Sequence, residues 1–144
     1  MFSGKYQNSM DTKNRIIIPS KFRDKLGHFC VLTRGMDRCL YILSMQEWEK
    51  FTQKLSELPT TDINNRQFMR HFSANTTGEI RIDNQGRIVI PQDLKEYANM
   101  EQDIITIGVL DKIEVWGKEE WDKAENGTDL DPSDLAQKMK EYGI

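Results

Sequence analysis

Two short stretches of the chain carry the same arrangement of one acid and one base. Residues 11–19 read DTKNRIIIP, and residues 83–91 read DNQGRIVIP. In each, an aspartate (Asp11, Asp83) stands four residues before an arginine (Arg15, Arg87), which leads into three aliphatic residues and a proline. Two kinds of chemistry fit that spacing. The aspartate can accept backbone N–H bonds inside a tight turn and pair with the arginine, fixing a hairpin and nothing more. Alternatively, the rigid turn can hold the planar fork of Arg15 out toward a guanine edge. The neighbours differ between the copies. Lys13, Arg15, Lys21 and Arg23 crowd into eleven residues, which suits a phosphate backbone. The second copy has Gln85 in place of Lys13 and Asp93 in place of Lys21. The first copy is therefore expected to lead in contact with DNA, and the second, with Asp83, Gly86 and Arg87, mainly to complete the fold.

Other chemistries find little support. There is no Walker A sequence, no GxGxxG opening a helix, no GxSxG and no HExxH. Two histidines and two cysteines offer no convincing nucleophile–base pair. His28 and His71 stand apart from Cys30 and Cys39 without metal-ligand spacing, so no catalytic residue, metal, cofactor or small-molecule substrate is expected. The cysteines read as small packing residues kept as thiols. No stretch approaches the roughly 20 apolar residues of a membrane span, and the start, MFSGKYQNSM, lacks the apolar run of a secretory signal. The expectation is a cytoplasmic protein without a membrane partner. The net charge of −3 conceals an uneven distribution. Residues 1–38 hold eight basic side chains against three acidic ones, whereas residues 111–144 hold five lysines against ten carboxylates. Affinity for a polyanion comes from such a local surface, not from the chain total.

The elements that position the two motifs repeat as well. At an offset of 72 residues Asp11, Arg15, Ile16, Ile18 and Pro19 match Asp83, Arg87, Ile88, Ile90 and Pro91, and Phe22, Arg23 and Asp24 align with Leu94, Lys95 and Glu96. After a one-residue shift, Gly35 aligns with Gly108, Leu40 with Ile113, Ile42 with Val115, Glu47 with Glu120 and Trp48 with Trp121. Each copy reads as an extended segment (residues 5–10, 79–82) and a tight turn in which Asn14 and Gly86 take the left-handed position. A short β-branched strand follows, read as buried, then a proline-led helix (20–26, 92–98) and two more strands (29–33 with 39–43, 104–107 with 113–116). Gly35 and Gly108 are expected in the connections. The predicted class is mainly β with short helices, an α+β fold of two β-β-α-β-β repeats, at residues 5–47 and 76–119. A module of about 40 residues cannot bury a core alone, so the two must interleave into one small pseudo-twofold barrel.

Residues 48–75 read as connecting helices. Ser44 to Glu47 has the form of a capping box, Trp48, Phe51, Leu55 and Leu58 share one helical face, and Pro59 ends the run. A second helix starts at Asp62, with Phe68, Met69 and Phe72 apolar; this aromatic stripe reads first as core packing, and a subset of it could instead bury against a neighbouring subunit. Residues 123–144 read as a loose acidic tail with a short helix near 135–139.

The segments MFSGKYQNSMDTKNRIIIPSKFR, LTRGMDRCLYI, DNQGRIVIPQDLKEYA and IGVLDKIEVW together resemble the MraZ family of bacterial proteins, over residues 1–122. One copy alone resembles only the wider AbrB/SpoVT-type swapped-hairpin group, which includes antitoxins and transition-state regulators. The resemblance implies a swapped-hairpin, double-psi-like barrel. It implies a nucleoid-associated transcriptional regulator that binds short direct repeats in double-stranded promoter DNA of the division and cell-wall cluster, its own promoter included. It also implies a ring-shaped homo-oligomer of eight or more subunits. Asp11 and Arg15 fall on the family's first DxxxR and Asp83 and Arg87 on its second. Where the family usually has glycine before the first arginine, this chain has Asn14. Asp11, Lys13, Asn14, Arg15, Lys21 and Arg23 are the expected DNA-binding set. An antitoxin-like interaction module of the AbrB type, using the acidic tail, is the alternative.

Overall fold

The computed structural model describes residues 1–127 and 130–144. Among these the strands are β1 (Phe2–Ser9), β2 (Arg15–Ile17), β3 (Phe29–Arg34), β4 (Leu40–Ser44), β5 (Thr76–Arg81), β6 (Arg87–Val89), β7 (Asp103–Leu110) and β8 (Lys112–Gly117). The helices are α1 (Ser20–Leu26), α2 (Met45–Ser56), α3 (Ile63–Ala74), α4 (Gln92–Tyr97), α5 (Lys118–Asn126) and α6 (Pro132–Tyr142). The fold is mainly antiparallel sheet with short helices, an α+β protein.

Strand pairing interleaves the two repeats. The large sheet runs β1-β7-β8-β4-β3-β5, and β2 pairs with β6 as a separate two-stranded ribbon. β1, from the first repeat, lies along β7 of the second, while β5 of the second lies along β3 of the first. The two halves meet where β4 pairs with β8. Read from either end, the order is the same with the repeats exchanged, which is pseudo-twofold symmetry. Two further cross-repeat bonds follow it: the Ile18 N–H donates to the Gly86 carbonyl, and the Ile90 N–H to that of Asn14, both at 2.8 Å. Ile16, Ile18, Ile88 and Ile90 enter the same core as Leu32, Leu40, Ile42, Ile113 and Val115, so the ribbon is packed onto the sheet. Burial of that shared apolar surface is what neither half could supply alone.

Several local expectations are corrected. Gly108 is not in a connection. It lies inside β7 opposite Gly4, and a Cβ there would sit 2.6 Å from the Phe2 carbonyl carbon. The turn after β7 is made instead by Leu110, at φ 62°, and Asp111. The ladders pair Arg34 with Leu40 and Gly108 with Ile113, so Gly108 is the counterpart of Arg34 rather than of Gly35. Ser44 Oγ caps α2 by accepting from the Glu47 N–H at 3.2 Å. The reciprocal bond of a capping box is replaced by a Glu47–Lys50 ion pair at 3.3 Å. Only Leu55 of the α2 stripe is buried; Trp48, Phe51 and Leu58 remain half-exposed. The region read as a loose tail is largely helical. Trp121 of α5 packs edge-on against Trp116 at 5.6 Å, and α6 is fully exposed behind an Asp131–Asp134 capping box. Thr128 and Asp129 of the polar stretch at 126–134 lie outside the described residues.

Candidate nucleic-acid interface

Each Asp-x-x-x-Arg turn is closed by the same set of bonds. Asp11 Oδ1 accepts from the backbone N–H groups of Lys13 and Arg15, both at 2.9 Å, and Oδ2 accepts from Arg15 Nε at 2.6 Å. Asp83 Oδ1 accepts from the Gln85 N–H at 2.9 Å and the Arg87 N–H at 2.8 Å, and Oδ2 from Arg87 Nε at 2.8 Å. The Asp11 N–H donates to the Arg15 carbonyl and the Asp83 N–H to that of Arg87, each at 3.0 Å. Asn14 (φ 58°) and Gly86 (φ 78°) occupy the left-handed position that lets the chain reverse. The backbone bonds from Arg15 and Arg87 are the leading reason that both carboxyls lie below their ordinary pKa; desolvation opposes them, and the guanidiniums and the N–H groups of Lys13 and Gln85 add to the lowering.

Two consequences follow for what these turns can do. The aspartate engages the Nε edge of each arginine, and among the described residues the two terminal nitrogens make no hydrogen bond, on side chains that are 27% (Arg15) and 26% (Arg87) exposed. The pair is also net neutral. It can supply directional hydrogen bonding, but long-range attraction to a polyanion must come from lysines nearby.

The ribbon sets the two turns side by side. β2 and β6 pair with Arg15 opposite Val89, Ile16 opposite Ile88 and Ile17 opposite Arg87. Ile16 and Ile88 point into the core at 1% and 2% exposure. Arg15, Ile17, Arg87 and Val89 therefore share the outer face, since side chains alternate along a strand. The expectation of a wholly buried β-branched strand is thus corrected: Ile17 is 49% and Val89 56% exposed. Period-two alternation within Ile16-Ile17-Ile18 could have revealed this, but three consecutive isoleucines read as an uninterrupted core run.

The remaining expected residues separate into groups. Asp11, Lys13, Asn14 and Arg15 sit together on the first turn, with Lys13 exposed. Lys21 reaches back to the Ser3 carbonyl at 3.5 Å. Arg23 lies against the second turn: a Cβ on Gly86 would be 2.5 Å from its Cζ. Its pseudo-symmetric counterpart, Lys95, donates to Asn14 Oδ1 at 3.0 Å. Each repeat's helix thus braces the other repeat's turn, and sequence alone offered no sign of these contacts, which join residues 63 and 81 positions apart. Arg34 and Arg38 lie over the Tyr97 ring at 4.5 and 4.9 Å, which fixes their position while leaving their charge intact. Among the described residues no group of three His, Cys, Asp or Glu side chains could hold a metal ion, and no helix is long and apolar enough to cross a membrane.

Fold and site together define a tandem-repeat, interleaved α+β protein that presents two braced Asp–Arg turns on one β-ribbon. A family model described as "MraZ protein, putative antitoxin-like" matches residues 1–71 and 74–141. Proteins named "Transcriptional regulator MraZ" are similar along the whole of both chains: 49% identical in Clostridium tetani, 47% in Clostridium acetobutylicum and 46% in Acetivibrio thermocellus. The chain belongs to the MraZ family.

Proposed function

We propose that the protein is a sequence-specific transcriptional regulator that binds double-stranded DNA through the outer face of the β2–β6 ribbon. The observation that carries this reading is the pair of matched turns, each holding an arginine by Nε on the outer face of the ribbon and leaving its terminal nitrogens without a hydrogen-bond partner among the described residues. A two-stranded ribbon fits the major groove, and an arginine fork pairs with guanine O6 and N7. Lys13 and Lys21 supply attraction to phosphates, Asp11 and Asn14 shape the first turn, and Arg15 leads over Arg87 because Gln85 and Asp93 replace those lysines. The protein works as a ring-shaped homo-oligomer of eight or more copies. The half-exposed aromatics of α2 and α3 and the apolar face of α6 (Leu135, Met139, Tyr142) offer surface for self-association. A ring presents each ribbon in the same sense, which suits short direct repeats. Its own promoter, within the division and cell-wall gene cluster of the nucleoid, is the site in view. The printed names of the relatives support regulation of transcription.

Fluorescence anisotropy on the duplex upstream of the protein's own gene tests this. A bidentate arginine–guanine contact discriminates by about 1–3 kcal/mol, or about 5- to 150-fold. Arg15→Ala should lose at least that factor for each engaged subunit, with the melting temperature nearly unchanged; Arg87→Ala should lose less. If both variants destabilise the fold and affinity falls only with the unfolded fraction, the motif is a turn staple. No salt-dependent binding at all would favour the antitoxin-like alternative.

A further inference from the structure

Ile17 and Val89 occupy equivalent positions 72 residues apart, and both are exposed β-branched apolar residues. The fold does not need them there. Ile16, Ile18, Ile88 and Ile90, all at 2% exposure or less, already fill the core beneath the ribbon. On the outer face each apolar side chain alternates with an arginine: Arg15 beside Val89, Ile17 beside Arg87. The strand is held firmly, since Asn8 Nδ2 of β1 donates to the Ile17 carbonyl at 3.1 Å. Two side chains are too small a patch for a protein interface of ordinary size, and the flanking arginines match a polyanion better than an apolar partner.

In the major groove the apolar landmark is the C5-methyl group of thymine. We infer that Ile17 and Val89 read thymine methyl groups, making the ribbon a mixed reader in which arginines select guanine and aliphatics select thymine. The inference rests on the proposed docking of the ribbon on DNA. The two apolar side chains differ by one methylene, so the face is two-fold in layout without being identical in its two halves. The DNA element it reads is expected to hold thymine close to guanine.

The test replaces thymine by deoxyuridine throughout the upstream duplex, which removes only the methyl groups. Anisotropy is measured with wild type, the Ile17→Ala/Val89→Ala double variant and Arg15→Ala. Burial of one methyl is worth about fourfold in affinity, so wild type should bind the deoxyuridine duplex at least about fourfold more weakly. The double variant should bind both duplexes equally. A wild type indifferent to deoxyuridine, or a double variant that keeps the full penalty, overturns the inference. A double variant whose mass by light scattering falls shows that the pair joins subunits, and overturns it too. Arg15→Ala separates the two levels. If it binds as wild type does, the docking of the ribbon has failed; if it loses binding while the double variant keeps its sensitivity to the methyl, only the present inference has failed.

Discussion

A carboxylate that accepts two backbone N–H bonds and one guanidinium N–H is held ionised by its own turn. That is the state of Asp11 and Asp83. Because the folded pKa of each is lowered, the stability they contribute is fully present above the unfolded aspartate value of about 3.9. It is lost as pH falls through the lower folded value. Thermal melting of wild type minus that of Asp11→Asn/Asp83→Asn should therefore be constant from pH 8 to pH 5 and shrink only below about pH 4. A difference that already falls between pH 7 and pH 5 would mean that these bonds do not form in solution. The cysteines lie at the opposite extreme. Burial pushes both thiols up to about 12, consistent with packing rather than reactivity.

Among the elements, the exchange of β1 and β5 ties the two repeats into one sheet. Gly108 is where that exchange is tightest, since the β1 backbone at Phe2 and Ser3 leaves no room for a Cβ. Gly108→Ala must push β1 off β7, an overpacking that costs typically 1–3 kcal/mol. For a chain of this length the melting temperature should drop by several degrees. Gly127→Ala, where a Cβ finds its nearest neighbour at an ordinary 3.4 Å, is the control. Equal melting of the two variants would contradict the β1–β7 pairing. Much of this level was legible in the sequence. The matched aliphatics and prolines gave the repeat, and the shortage of core in one module implied interleaving. The displaced partner of Gly108 was not legible, because the linker between α4 and β7 is longer than that between α1 and β3 and shifts the alignment by one more residue. The outward turn of Ile17 was legible only by imposing strand alternation on three identical letters, Ile16-Ile17-Ile18, which read more simply as one buried run. The bracing of Asn14 by Lys95 and of Gly86 by Arg23 depends on tertiary proximity that no local rule reports.

For the whole molecule, the proposed binding must be reconciled with a net charge of −3. Each Asp–Arg pair is neutral, so the two arginines add little net positive charge to one ribbon. The proposed ring answers this, since in such a ring later contacts would become intramolecular and avidity would rise by about 10²–10⁴. The salt dependence of binding tests the claim most directly. Each neutralised phosphate contributes about −0.9 to the slope of log affinity against log salt. Lys13, Arg15, Lys21, Arg23 and Arg87 together give one chain no more than about −4.5. Anisotropy on the upstream duplex across a salt series should give a slope clearly steeper than that, with the scrambled duplex binding more weakly at every salt concentration. A slope shallower than about −4.5 with no preference between the two duplexes would contradict a multivalent, sequence-reading ribbon.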